Sequence, residues 1–163
     1  MIVVADASPL NYLVQLQREA LLERLYGQVM IPTGVFSELL AEKAPPAVAE
    51  WARRLPAWVS VHSVPPWTES DLEGLGTGER EAIALALAKG ADLLLVDDRL
   101  GRAEAERRGI PTTGVLGILL AAGKRAMINA EEEFLRLIST TNFRVAEHIR
   151  RDFLSAAREL RGD

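Results

Sequence analysis

The sequence predicts a three-layer α/β/α sandwich on a mainly parallel sheet, with extra helices toward its C-terminal end. Three observations predict it. Up to Val115, short apolar runs alternate with stretches of helical periodicity, the pattern of strand and helix units in an α/β fold. The runs Ile2-Val3-Val4-Ala5 and Leu93-Leu94-Leu95-Val96 are continuous rather than alternating, as in strands covered by helices on both faces. Both then run straight into acid, Asp6-Ala7-Ser8 in one case and Asp97-Asp98 in the other. In parallel sheets that is where ligands bind, beyond the carboxyl ends of the strands.

The elements follow in order. Residues 2–5 read as a first strand; Ser8 is placed to cap a helix with Pro9 at its first position, and Leu10, Leu13, Val14, Leu21, Leu22 and Leu25 continue it at helical spacing. Val29-Met30-Ile31, ending at Pro32, reads as a second strand. Thr33 then opens a helix through Val35, Phe36, Leu39 and Leu40 that stops before Pro45-Pro46. Residues 47–55 read as helix, 58–61 as strand, and Pro65-Pro66-Trp67 as a connector. From Thr77 a cap, early acids, strong helix formers and the terminating Gly90 define a buried helix. A strand over 93–96, a polar helix over 100–108 and a short strand at 112–113 follow. Beyond Val115 only helices are expected, over 116–122, 130–138 and 146–160.

Composition sets the outer limits. With 163 residues, 48% of them hydrophobic, the chain is long enough for one well-buried domain. It has no cysteine, which removes disulfides, thiolate metal sites and cysteine nucleophiles. The start lacks the features of a signal peptide and no apolar run approaches a membrane span, so a cytoplasmic protein with no membrane partner is expected. A net charge of −4 argues against a general nucleic-acid coat. It leaves room for an enzyme that meets nucleic acid through a local basic strip and a metal.

Asp6 follows the first strand and Asp98 a later one, while Glu79 and Glu81 open the helix before that later strand. A helix leading back into a parallel strand starts near the carboxyl edge, so one of these glutamates can face Asp6 and Asp98. Glu38, flanked by Phe36, Leu39 and Leu40, can point inward at one turn's depth. Oxygen ligands from four elements, with only the distant His62 and His148 as imidazoles, suit Mg²⁺ or Mn²⁺ and disfavour zinc. Such ions activate water in phosphoryl transfer. Each acid alone also fits a structural role: a turn for Asp6, a helix start for Asp97 and Asp98, the helix dipole for Glu79 and Glu81, plain exposure for Glu38. Their joint placement carries the functional reading. Ser8 reads as a cap or water-positioning residue, Trp51, Trp58 and Trp67 as packing anchors, and Gly74-Leu75-Gly76-Thr77-Gly78 as a hinge rather than a phosphate loop.

The series Asp6-Ala7-Ser8-Pro9-Leu10, Ile31-Pro32-x-x-Val35-x-x-Glu38-Leu39, Gly76-x-Gly78-Glu79-x-Glu81-Ala82-Ile83, Val96-Asp97-Asp98-Arg99 with Arg102, and Thr113-Gly114-Val115-Leu116-Gly117 resembles a PIN domain. Within that family it is most similar to a PIN-like subgroup often found beside antitoxins. The resemblance implies a metal-dependent endoribonuclease, the toxin of a type II toxin–antitoxin pair, with RNA as substrate, an antitoxin as partner and a homodimer as assembly. It implies a PIN-like nuclease domain over 1–125 and a helical extension over 126–163, packed on the same domain or on a partner. Asp6, Glu38, a helix-start acid and Asp98 would hold one or two Mg²⁺ or Mn²⁺ ions. The usual helix-start aspartate is here a glutamate, Glu79 or Glu81, about 200° apart on a helix; the reading leans to Glu79. Asp97 is either an extra ligand or a cap. Arg99 and Arg102 are candidates to hold flanking phosphates, as are Lys124 and Arg125. Two rivals stand beside this reading. One is a haloacid-dehalogenase-like phosphatase with Asp6 as nucleophile, although Ser8 stands where that family expects a second aspartate. The other is a non-catalytic module that binds RNA or protein.

Overall fold

The computed structural model describes residues 1–65 and 74–161. Five strands form one parallel sheet in the order β3-β2-β1-β4-β5: β1 (Val3–Ala5), β2 (Val29–Pro32), β3 (Val59–His62), β4 (Leu93–Leu95) and β5 (Thr112–Thr113). β1 lies at the centre, with Ala5 opposite Leu95 on one side and Val4 opposite Met30 on the other. Because side chains alternate across a strand, β1 feeds two cores. Val4, with Leu94, packs against Ala82, Ile83, Leu85 and Ala86 of α5 (Thr77–Lys89) and Ala105 of α6 (Arg99–Arg107). Val3 and Ala5 face the larger cluster, built from α1 (Ala7–Gln15), α2 (Leu21–Tyr26), α3 (Thr33–Leu40), α4 (Pro46–Arg53) and α7 (Val115–Lys124). Helices therefore cover both faces, as the unbroken apolar strands require, and the expected three-layer architecture is the one observed.

Past α7 the chain adds α8 (Ala130–Thr140) and α9 (Glu147–Glu159), which pack on α7 and on each other. Phe134 and Phe153 join them at 4.8 Å between ring centroids, inside the larger core. Trp51 and Trp58 pack together at 6.2 Å, as anchors rather than exposed stacking platforms. Among the described residues no helix is long and apolar enough to cross a membrane.

Several local expectations are corrected. The helix expected from Ser8 to Leu25 is two helices. Gln17 takes a left-handed conformation (φ 60°), Arg18 N–H reaches Leu13 O and Gln17 N–H reaches Val14 O. This is a Schellman ending, which most often uses glycine, so the sequence carries no sign of it. Ser8 is not the cap: Asp6 holds that position, and Ser8 and Pro9 are the second and third helical residues. Thr77 likewise is the first residue of α5, behind Gly76. The glycine-rich stretch is not simply a hinge, because Gly78 is buried within α5. The connector reading at Pro66 and Trp67 lies outside the described residues.

Candidate active site

The site follows from the order of the parallel strands. β1 and β4 are neighbours, so the residues leaving their carboxyl ends meet. Asp6 leaves β1 with its N–H on Leu95 O at 2.8 Å. Asp98 caps α6, its Oδ2 accepting the Gly101 N–H at 2.8 Å. α3 rises from β2 and packs along α5, which brings Glu38 and Glu79 toward the same edge. Gly78, buried in the first turn of α5, faces the same edge: a Cβ there would meet Val35 Cγ2 at 3.4 Å, Asp6 Oδ1 at 3.6 Å and Glu38 Oε2 at 3.9 Å, all ordinary contacts. Glu79 is tied back to its own helix start, Oε2 accepting the Gly76 N–H at 3.1 Å.

Like charges now meet at this edge, with Asp6 buried and Glu38 exposed. Asp6 is 2% exposed. Burial pushes its carboxyl up to about 7; the Ala7 N–H pulls it down, and Glu79, Glu38 and Asp98 push it further up. Partial burial, then the charge of Glu79, raises Glu38. Glu79 is raised by burial and by Asp98, against the pull of the Gly76 N–H. Among the described residues none of the four forms an ion pair with an arginine or lysine. Nor do any three acidic or imidazole side chains there stand at the spacing of a closed metal cage. The donor chemistry is nevertheless hard oxygen throughout, with neither sulfur nor imidazole, and fits an ion of the Mg²⁺ or Mn²⁺ kind.

Two further candidate acids hold helix starts. Glu81 lies on another face of α5, where Oε1 accepts the Gly34 N–H at 3.0 Å and the Thr33 hydroxyl at 3.3 Å. It caps α3 and clamps α3 to α5. Asp97 Oδ1 accepts the Val115 N–H at 2.9 Å and so holds the start of α7. Its Oδ2 is buried without a hydrogen-bond partner. Burial pushes Asp97 up to about 6, with the Val115 N–H and Arg102 pulling it down.

Glu79, Asp97 and Asp98 line a cleft of about 930 Å³ together with Ser8, Tyr12, Arg99, Arg102 and Arg144. The two arginines expected near the acids are there. Lys124 and Arg125 are not: α7 starts beside Asp97 and ends with Lys124, nine residues and roughly 13 Å further on. Arg125 instead donates to Arg24 O at 3.3 Å. Sequence reasoning missed Gly78, Tyr12 and Arg144. Gly78 had no readable signal, because a Cβ there would make only ordinary contacts. Tyr12 and Arg144 had none, because 132 positions separate them and only the packing of the C-terminal helices joins them.

A protein-family model, DUF3368, described as a PIN domain, matches residues 2–159. No curated protein matches the chain. PIN domains share a nuclease-type fold and generally act on nucleic acid with divalent metals, in keeping with an acidic, oxygen-only cluster on a parallel sheet edge. The match takes in the sheet, all four clustered carboxylates and both C-terminal helices. The chain therefore belongs to the PIN domain family.

Proposed function

We propose that this PIN domain is a divalent-metal-dependent endoribonuclease in which Asp6, Glu38, Glu79 and Asp98 hold Mg²⁺ or Mn²⁺. One observation carries the reading. Asp6 is an almost fully buried carboxyl, pushed up to about 7 by burial and by the charges of Glu79, Glu38 and Asp98, and two of these, Glu79 and Asp98, line a cleft with Arg99 and Arg102. Native proteins rarely tolerate such a cluster unless a cation or a proton offsets it. When bound, the ion would activate water and offset charge on the phosphoryl group.

The chain's own residues do the rest. Asp6, on the first strand end, and Asp98, fixed by the Gly101 N–H, present carboxylates from a rigid sheet edge. Glu38 and Glu79 come from helices whose mutual position the Glu81 clamp sets. Glu79, not Glu81, takes the helix-start ligand position. Asp97 supports the site by holding α7 in place. Arg99 and Arg102 bind the phosphates flanking the scissile bond, and Ser8 lines the cleft where it can position water. The family resemblance extends the reading to the toxin of a type II toxin–antitoxin pair, with an antitoxin as partner and a homodimer as the working assembly.

The test is cleavage of labelled RNA with Mn²⁺ by the wild-type chain and by Asp6→Asn. Cleavage that disappears in the variant supports the nuclease. Phosphate release from a small phosphomonoester, with RNA left intact, would point to the dehalogenase-like phosphatase instead. RNA binding without turnover would make the chain a binding module.

A further inference from the structure

Residues 141–146, between α8 and α9, form a strap whose Phe143, Arg144 and Val145 line the same cleft as Arg99 and Arg102. The strap is firmly docked. Phe143, 7% exposed, meets the Tyr12 ring edge-to-face at 5.2 Å, and Asn142 Oδ1 accepts the Tyr12 hydroxyl at 3.0 Å. Thr141 Oγ1 donates to Leu137 O at 2.6 Å and accepts the Phe143 N–H at 3.1 Å. From this fixed segment the exposed Arg144 reaches the cleft. Its Nη1 donates to the carbonyls of Phe143 (2.6 Å), Thr141 (3.3 Å) and Ile138 (3.4 Å), which sets the direction of the guanidinium. Those bonds engage Nη1 alone, leaving the Nε and Nη2 hydrogens for an anion. Beside Arg144, Val145 and Ile149 line the same cleft, and Ile149 is 42% exposed.

A permanent, pre-oriented fork of donors beside exposed apolar surface matches a nucleotide, with its phosphate on one and its base or sugar on the other. Bases reach such a surface only when unpaired. We propose that the strap is one wall of a single-stranded RNA channel, in which Arg144 binds a phosphate flanking the cleaved bond and Ile149 packs against the adjoining nucleotide. This rests on the nuclease reading above, and it gives the C-terminal helices a part in substrate binding.

The experiment measures anisotropy of a fluorescein-labelled single-stranded oligoribonucleotide on the full chain carrying Asp6→Asn, so that nothing is cut, across a range of KCl concentrations. Adding Arg144→Ala is expected to weaken binding roughly 5- to 10-fold, the effect of one charge-assisted contact at an exposed site. It should also lower the slope of log K against log salt by about 0.7, the share of one phosphate on a single strand. Arg144→Gln keeps a donor for the α8 carbonyls and is expected to lose the same slope, whereas Arg144→Lys restores it. Loss of affinity with an unchanged slope would show a purely structural arginine and overturn the proposal. So would unchanged binding in both variants while the wild type still cuts RNA, which would leave the nuclease reading standing. An Asp6→Asn chain that does not bind RNA, together with a wild type that does not cut it, would overturn both.

Discussion

Asp6→Asn is expected to stabilise the metal-free protein while abolishing RNA cleavage, and the size of the gain follows from the burial of Asp6. Its carboxyl moves from an ordinary 3.8 to about 7 in the folded chain. Between those values the folded state holds a proton that the unfolded state has released. Stability therefore falls as pH rises through this window and levels off above about 7. Each pH unit is worth about 1.4 kcal/mol, so the cost of ionised Asp6 approaches roughly 4 kcal/mol by pH 8. At 2% exposure little solvent screening reduces it. An asparagine amide cannot ionise and escapes that cost, though it still suffers part of the penalty of a buried polar group. For a chain of this length 1 kcal/mol moves Tm by about 2–4 °C. In chelator at pH 8 the variant should then melt several degrees above the wild type, up to a ceiling of roughly 16 °C, and near pH 4 the two curves should nearly coincide. Circular dichroism melts at the two pH values give the answer. A variant less stable than the wild type at pH 8, or a difference unaffected by pH, would refute the claim that burial and neighbouring carboxylates strain Asp6. Mn²⁺ should then stabilise the wild type more than the variant, by about 2.7 kcal/mol at a hundredfold excess over Kd.

Three further outcomes are expected. Glu81→Ala, which removes the acceptor of the Gly34 N–H, should cost roughly 1–2 kcal/mol in chemical denaturation, whereas Gly34→Ala, whose Cβ would lie 2.7 Å from the flexible tip of Glu81, should cost less, because the carboxylate can swing aside and alanine favours the helix. Glu79→Gln and Asp98→Asn should each reduce RNA cleavage by roughly 100-fold or more, beyond the loss expected for a supporting carboxylate, whereas Glu81→Gln, which keeps an acceptor for Gly34, should leave most of the rate. Replacing Lys124 and Arg125 together by alanine should leave KM for RNA unchanged, while Arg102→Ala should raise it.

The parts of this fold that could be read in the sequence are those where one physical requirement dictates residue type over a contiguous run. A strand covered on both faces must be apolar throughout, so β1 and β4 were legible, and with them the meeting of Asp6 and Asp98. A long buried helix with a C-terminal glycine made α5 legible, and with it the arrival of a glutamate at the same edge. The break at Gln17 was not legible: a left-handed residue other than glycine costs only a little, and Arg18 and Gln17 recover it through backbone bonds that leave no mark on side-chain choice.

The choice between Glu79 and Glu81 shows where a single chain's sequence stops. Helical geometry separates the two by about 200°, so one of them must face away from Asp6, but periodicity alone cannot say which. The answer lies in α3, a separate element. Gly34 has no side chain, and that gap admits the Glu81 carboxylate to within hydrogen-bond distance of the backbone N–H. Glu79 instead returns to its own helix start, where Oε2 accepts the Gly76 N–H, and its charge raises both Asp6 and Glu38. One glycine on α3 thus sorts two glutamates, one to the clamp and one to the acidic cluster. Gly34 does not announce this, because what it provides is space, and the space has meaning only once α3 and α5 are packed together.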